Sequence, residues 1–246
     1  MLTKAQVKDI RSLTQYKSRM EQGSFIVEGD KLAREWLATG APIKMALATR
    51  EWLSLYRALL NAHTGMQIIE VTEKELARIS ALQTPNAVLL VVALPEAASV
   101  LPVNEWCIAL DHLQDPGNIG TIIRIADWYG IRHIIASPDS ADFYNPKVVQ
   151  SAMGGHLRVV LHRHELEPLV RTTKLPVLAA TLDGQNIYEF KKPAAAILLI
   201  GNESKGLAPG LLALATNCIT IPRRGGAESL NAAVATGILC ALLLPH

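Results

Sequence analysis

The sequence predicts an α/β protein of two domains, because apolar runs typical of strands alternate with patterns typical of helices. Nearly continuous apolar runs in the second half, such as "WCIALDHL" (106–113) and "AAAILLI" (194–200), are typical of parallel strands covered on both faces. The stretch "PEAASVLPVNE" (95–105) contains two prolines and has no periodicity, which favours a linker. We therefore predict a smaller α/β domain over 1–94 and a larger parallel-sheet domain over 106–246.

The first domain follows from short local patterns. The stretch "KAQVKDIRSLTQYKSR" predicts one helix over 4–19, followed by a strand at 24–29 and a helix at 30–40 that ends at Gly40, a common C-terminal signal. Runs rich in β-formers predict strands at 43–49, 67–71 and 87–94. Helical patterns lie between them at 51–62 and 73–81.

The second domain repeats the alternation along its whole length. Strands are predicted at 106–113, 133–137, 157–163, 176–181, 194–201 and 218–223. Helices are predicted at 119–130, 145–153, 165–173 and 228–244. In such sheets, ligands bind at the loops beyond the carboxyl ends of the strands, so the residues that follow each strand carry the functional information.

Composition limits the class of protein. Half of the 246 residues are hydrophobic and 19% are charged, which indicates a folded globular chain. We expect no membrane span, because no apolar stretch reaches about 18 residues, and the N-terminus lacks the pattern of a secretion signal, which predicts a cytoplasmic protein. The cysteines lie far apart in apolar settings and the histidines form no second cluster, so we expect neither a disulfide nor a metal site.

The beginning of the chain is basic, although the net charge is only +2. Arg11, Lys17 and Arg19 belong to a segment with few acidic residues, and such a segment could follow the phosphates of a nucleic acid. The alternative is a solvated helix face with no partner.

Three glycine-containing loops follow predicted strands. In the first, Asn118 can cap a helix, and we expect apolar neighbours to cover the stem of Arg124 and a designated partner to bind its head. The second, "GNESKGL" (201–207), presents Glu203, and the third, "PRRGGAESLN" (222–231), presents Ser229 and Asn231. Because the carboxyl ends of parallel strands share one edge, these side chains are predicted to meet in one pocket.

The sequence lacks the motifs of several common nucleotide-binding and hydrolase sites. Neither half carries a G-x-G-x-x-G or a G-x-x-x-x-G-K-[ST] motif, so a dinucleotide or triphosphate site is not supported. A G-x-S-x-G elbow is also missing, which argues against a serine hydrolase.

The three loops together resemble a known family. "NIGTIIR" (118–124), "LIGNESKGL" (199–207) and "IPRRGGAESLNAAVATGIL" (221–239) are similar in order and spacing to the motifs of the SpoU/TrmH family of RNA ribose 2'-O-methyltransferases. The N-terminal half, with "SLTQYKSRMEQGSFIVEGDKLAREWL" (12–37), resembles the L30e-like RNA-binding domain of many members. The resemblance implies a trefoil knot, S-adenosylmethionine as the cofactor, a homodimer, and an RNA substrate, with ribosomal RNA favoured over transfer RNA.

The resemblance also assigns roles to residues of this sequence. It implies a catalytic set of Asn118, Arg124, Glu203, Ser229 and Asn231, and cofactor binding by the backbone around Thr181, Gly201, Ile221 and Leu230. Whether Arg124 or Glu203 handles the proton of the hydroxyl is open. The departures from the family pattern at Ala232, Ala233, Arg223 and Arg224 leave the substrate open.

Two other functions remain as alternatives. One is a non-catalytic RNA-binding or ribosome-assembly protein of the same fold, which cofactor binding would distinguish from an enzyme. The other is an α/β enzyme that acts on a small nucleotide, which a failure to bind structured RNA would favour.

Overall fold

The computed structural model describes residues 2–96 and 104–244, which form two compact units. Unit 1 contains residues 2–96 and 144–157, and unit 2 contains residues 104–143 and 158–244. Of the predicted linker 95–105, residues 97–103 lie outside the described residues. The segment 144–157 was predicted within the second domain but packs in unit 1, because the Tyr144 ring lies 4.8 Å from that of Phe25 and Val149 joins the same apolar core.

Unit 1 is built on a four-stranded sheet of order β1-β4-β2-β3. Strand β4 pairs antiparallel with β1 and β2, whereas β2 and β3 are parallel. Both faces of the sheet are covered by buried apolar side chains, with Phe25 and Trp36 on one face and Ile26 and Leu47 on the other. The elements are α1 (Lys4–Ser12), α2 (Tyr16–Gln22), β1 (Ser24–Glu28), α3 (Asp30–Leu37), β2 (Ile43–Ala48), α4 (Arg50–Leu55), α5 (Arg57–Asn61), β3 (Gln67–Glu70), α6 (Glu73–Ile79), β4 (Val88–Ala93) and, from later in the chain, α8 (Pro146–Ala152) with a 3-10 turn at Gly155–Leu157.

The single helix predicted over 4–19 is wrong, because the chain breaks between α1 and α2. The Thr14 hydroxyl donates to the carbonyl oxygen of Arg11, and the guanidinium of Arg19 donates to that of Leu13 at 2.8 Å. Arg19 is only 1% exposed. Its prediction as an RNA-binding residue is therefore wrong, since its head group is used inside the protein to cap the end of α1.

Unit 2 contains a six-stranded parallel sheet of order β10-β8-β9-β5-β6-β7, which confirms the predicted α/β architecture with a parallel sheet. Its strands carry continuous apolar runs, and those of β5 and β9 are buried at every position. The elements are β5 (Cys107–Leu110), α7 (Pro116–Trp128), β6 (His133–Ala136), β7 (Val160–Arg163), α9 (Leu166–Thr172), β8 (Val177–Asn186), β9 (Ile197–Ile200), α10 (Pro209–Leu214), β10 (Asn217–Thr220) and α11 (Ala232–Leu243).

The register of this sheet aligns the ends of its central strands. Leu110, the last residue of β5, lies opposite Ala136 of β6 and Ile200 of β9. The loops that follow these strands therefore leave the same edge of the sheet. Helices α7 and α11 pack against each other beside the sheet.

Within residues 2–96 and 104–244, none of the helices has the length and apolarity needed to cross a bilayer. The same residues contain no group of three or more His, Cys, Asp or Glu side chains placed to hold a metal ion. Cys107, Cys218 and Cys240 are free, and burial raises the pKa of the Cys107 and Cys240 thiols to about 12.

Candidate active site

The first loop places Asn118 at the beginning of α7, although not as its cap. Asp115 is the N-cap, and its Oδ1 accepts the main-chain N–H of Asn118 at 2.8 Å. Pro116 occupies the first helical turn, where its missing N–H costs no hydrogen bond. Asp115 rather than Asn118 therefore caps the helix, which leaves the Asn118 side chain available for other contacts.

Asn118 connects the three loops through hydrogen bonds. Its Nδ2 donates to Oε1 of Glu203 at 2.9 Å, and its Oδ1 accepts from Nδ2 of Asn231 at 2.9 Å. Asn231 is also the N-cap of α11, because its Oδ1 accepts the N–H groups of Ala233 and Val234. A carboxylate at one end polarises such a chain of amides, which strengthens each bond in it. Three of the five predicted catalytic residues thus lie together.

The second loop is folded by Asn202 and closed tightly by its glycines. Asn202 and Gly206 exchange main-chain hydrogen bonds at 3.0 and 2.9 Å, and Oδ1 of Asn202 accepts the N–H groups of Ser204 and Lys205. A Cβ at Gly201 would overlap the backbone of Gly206 and Leu207. Glycine at 201 is therefore required by close approach of the loop to itself.

Sequence reasoning missed two residues that hold this loop, Asp111 and His112. Asp111 follows β5, is 3% exposed, and its Oδ2 accepts the N–H of Ala208 at 2.7 Å. The carbonyl oxygen of His112 accepts from Nδ2 of Asn202 at 2.8 Å. A carboxylate immediately after a buried strand was the available signal, because an acid so placed needs a designated partner.

The other two predicted catalytic residues stand apart from the hydrogen-bonded chain. Arg124 is exposed on α7, and within the described residues its guanidinium forms no hydrogen bond or ion pair. The expectation of a covered stem is therefore wrong for the single chain, because helix periodicity turns position 124 away from the buried Ile122 and Ile123. Ser229 is exposed in the third loop.

Gly201 lies in the second loop, and the other three residues predicted to hold a cofactor lie on three neighbouring segments. Strand β8 extends beyond its prediction and bulges, since Cys218 and Ile219 of β10 pair with Ala179 and Gln185. Thr181 lies in this bulge, and the Thr220 hydroxyl donates to the carbonyl oxygen of Leu182 at 3.0 Å, next to Ile221.

The third segment is the loop that precedes α11. Its residues 222–231 are all exposed, and the Leu230 side chain is 48% exposed. Arg223 shapes the loop by donating to the carbonyl oxygen of Ala227 at 3.1 Å. An exposed loop with an apolar side chain suits a ligand that has a flat apolar ring with polar edges.

Comparison with protein families matches two stretches of the chain. Residues 105–241, which include all three loops, match the SpoU rRNA Methylase family. The chain belongs to this family. Residues 4–90 match the family described as MRM3-like substrate binding domain. In that region Arg11 is exposed, and the Lys17 side chain is 87% exposed with Glu21 at 3.8 Å.

Named relatives and relatives of known structure align with nearly the whole of this chain. It is 31% identical over 237 residues to the Bacillus subtilis 23S rRNA (guanosine(2553)-2'-O)-methyltransferase RlmP, covering 95% of this chain and 93% of the relative. The AdoMet-bound rRNA methyltransferase from Sinorhizobium meliloti is 34% identical with a TM-score of 0.88, over 99% of this chain and 95% of that one. A proposed TrmH-family RNA methyltransferase from Porphyromonas gingivalis is 38% identical with a TM-score of 0.87, over 99% and 98% of the two chains.

Proposed function

We propose that this protein transfers a methyl group from S-adenosylmethionine to a ribose 2'-hydroxyl of RNA, and that the RNA is ribosomal. The observation that carries the proposal is the chain of hydrogen bonds from Glu203 through Asn118 to Asn231, which joins the three family motifs at one edge of a parallel sheet. Relatives over nearly the whole chain are named as rRNA 2'-O-methyltransferases, and one relative of known structure binds AdoMet.

The residues at this edge fit the cofactor. The exposed residues 222–231 and the half-exposed Leu230 would offer polar groups beside an apolar side chain, as an adenosine requires. The backbone around Thr181, Gly201, Ile221 and Leu230 would hold it. When bound, S-adenosylmethionine supplies an electrophilic methyl group attached to a sulfonium. The sulfur becomes a neutral thioether when the methyl group is transferred, so this leaving group needs no acid.

The protein must align the hydroxyl and stabilise the charge that develops on it. Positioning of two reactants can supply about 7–11 kcal/mol of a barrier. A guanidinium keeps its proton in proteins, so we assign Arg124 to hold the developing alkoxide and the adjacent phosphate as a cation. Glu203 orients Asn118 through their hydrogen bond and remains the candidate for receiving the proton. Ser229 lies on the exposed loop and is assigned to substrate contact.

Recognition of the RNA is assigned to unit 1 as well as to unit 2. Arg11 and Lys17 are exposed cations within the region that matches a substrate-binding domain. Specific RNA recognition targets loops and bulges, so a separate unit that reads RNA shape fits the chemistry. Ribosomal RNA as the substrate would place the enzyme in the cytoplasm.

The same proposal includes a homodimer and the trefoil knot of the family. Trp128 is 83% exposed at the end of α7, on the face that also carries Arg124, and Val234 of the adjacent α11 is 52% exposed. An apolar face of this kind is typical of a contact between subunits. A second copy placed on it would cover the stem of Arg124, and the site would then form at the interface.

Labelled methyl transfer to different nucleic acids tests the proposal. The protein is incubated with S-adenosylmethionine carrying a tritiated methyl group and with unmodified ribosomal RNA, unmodified transfer RNA, or DNA of the same sequence as the rRNA. We expect label in ribosomal RNA and none in DNA, since DNA lacks the 2'-hydroxyl. Label in transfer RNA alone would contradict the ribosomal substrate, and label in no RNA together with absent cofactor binding would contradict the activity.

A further inference from the structure

His112 has an unusual backbone conformation at the end of β5. Its φ is 52°, in the left-handed region that residues with a Cβ rarely adopt. Its N–H donates to Oγ of Ser137 at 2.9 Å, and the next N–H, that of Leu113, donates to Oγ of Ser140 at 3.1 Å. The loop after β6 therefore holds the main chain here, and the conformation aims the carbonyl oxygen of His112 at Asn202.

The ring of His112 lies between two carboxylates. Its Nδ1 is 2.6 Å from Oδ1 of Asp111, and its Nε2 is 3.3 Å from Oδ2 of Asp139. Within the described residues, these are the charged groups that face the ring. An imidazolium donates from both nitrogens, whereas a neutral imidazole donates from only one. The hydrogen bond to Asp111 first, and the charges of both acids, raise the pKa of His112 above its ordinary value of 6.5.

The same two residues hold both ends of the loop that contains Glu203. Near its beginning, Asn202 donates to the carbonyl oxygen of His112. At its end, the N–H of Ala208 donates to Oδ2 of Asp111, the acid whose other oxygen contacts the His112 ring. Glu203, between these anchors, accepts the hydrogen bond of Asn118.

We propose that protonated His112 is a positioning residue for this site, which fixes the loop 201–208 so that Glu203 meets Asn118. The inference rests on the proposed function, since it treats this loop as part of the cofactor and catalytic site. Loss of the ring's proton removes its positive charge, which weakens its contacts with Asp111 and Asp139, and the hold of Asp111 on the loop loosens. Cofactor affinity and methyl transfer then fall as the pH rises through the raised pKa of His112.

The test measures the affinity for S-adenosylmethionine by calorimetry from pH 5.5 to 9.5. We expect the affinity of the unmodified protein to fall about tenfold across the transition, roughly the difference between a charge-assisted and a neutral hydrogen bond. In His112→Gln, which cannot titrate, the affinity should be reduced at low pH and should no longer show that transition. In Asp139→Asn the transition should move to lower pH, because one of the facing carboxylates is gone.

Two controls make the outcome decisive. His164→Gln changes an exposed histidine elsewhere in unit 2 and should leave the pH profile unchanged. Direct titration of the His112 ring by NMR, in the unmodified protein, should show a pKa raised above the ordinary value of 6.5. A pKa at or below 6.5, or superimposable profiles for the unmodified protein and His112→Gln, would overturn the inference alone. Absence of S-adenosylmethionine binding at every pH would overturn the proposed function and this inference with it.

Discussion

Nδ2 of Asn118 lies 2.9 Å from Oε1 of Glu203, although 85 positions separate the two residues in the chain. This bond joins the loop after β5 to the loop after β9, and the Asn231 amide extends it to the loop before α11. The family motifs are therefore in direct contact as well as at the same edge of a sheet. Their contact depends on the side chain of Asn118, which both donates and accepts.

Asn118→Asp should lower methyl transfer sharply with little loss of stability. The new carboxylate cannot donate to Glu203 and repels it, and the Asn231 amide can bond only one of the two acids. We expect kcat to fall about 100-fold, which corresponds to the loss of one charge-assisted hydrogen bond. Single-turnover kinetics with saturating cofactor measure this, and Asn118→Ala separates lost donation from added repulsion, since it should be the milder change. An unchanged kcat in Asn118→Asp would show that the bond has no part in the reaction.

Gly201→Ala should destabilise unit 2 and weaken cofactor binding. The added Cβ would run into the backbone of Gly206 and Leu207, which cannot move as a flexible side chain could. We expect a loss of about 2 kcal/mol in the free energy of unfolding, as for an overpacked core. Denaturant titration measures it. Gly225→Ala is the matched control, because a Cβ at Gly225 meets nothing within 4 Å, and equal effects of the two changes would contradict the explanation.

Substitution of Arg19 should lower stability, whereas substitution of Lys17 should weaken RNA binding. Arg19→Met leaves the carbonyl oxygen of Leu13 without its donor and should cost about 2 kcal/mol in the free energy of unfolding. Lys17→Ala removes an exposed cation and should leave stability within about 0.5 kcal/mol, while weakening the binding of ribosomal RNA at low salt. Chemical denaturation measures the free energy of unfolding, and filter binding measures the affinity for ribosomal RNA. If Lys17→Ala bound RNA as tightly as the unmodified protein at every salt concentration, unit 1 would not contact RNA through this residue.

Trp128→Glu should convert a dimer into monomers. A charge in an apolar contact raises the dissociation constant of the pair, here by at least about 100-fold if Trp128 lies at the centre of the interface. Sedimentation equilibrium over a range of concentrations measures it. Tyr188→Glu changes another exposed aromatic of unit 2, which is 68% exposed, and should leave the oligomeric state unchanged. If the unmodified protein were monomeric at micromolar concentration, the proposed dimer would be contradicted.

The sequence predicted those features that depend on periodicity and strand order. Continuous apolar runs such as 194–200 predicted a parallel sheet, and that topology placed Asn118, Glu203 and Asn231 at one edge. The side chains of these three residues then meet as expected, because each follows a strand that ends at the same edge.

Features that depend on single side chains reaching distant main-chain groups were not predictable in this way. The break after α1 depends on Arg19, whose charge favoured a surface position. Asp115, which the sequence analysis did not single out, caps α7 in place of Asn118. The role proposed for His112 depends on a positive φ and on Asp139 from another loop, and periodicity predicts neither.

The position of the transferred methyl group tests the central claim most directly. Ribosomal RNA methylated with labelled S-adenosylmethionine is hydrolysed in alkali, where a 2'-O-methyl group prevents cleavage at its own phosphate. We predict label in alkali-resistant dinucleotides, and a decrease of about 100-fold or more in Arg124→Ala, whose folding should be unaffected because the side chain is exposed. Label on mononucleotides would mean methylation of a base and would contradict the account.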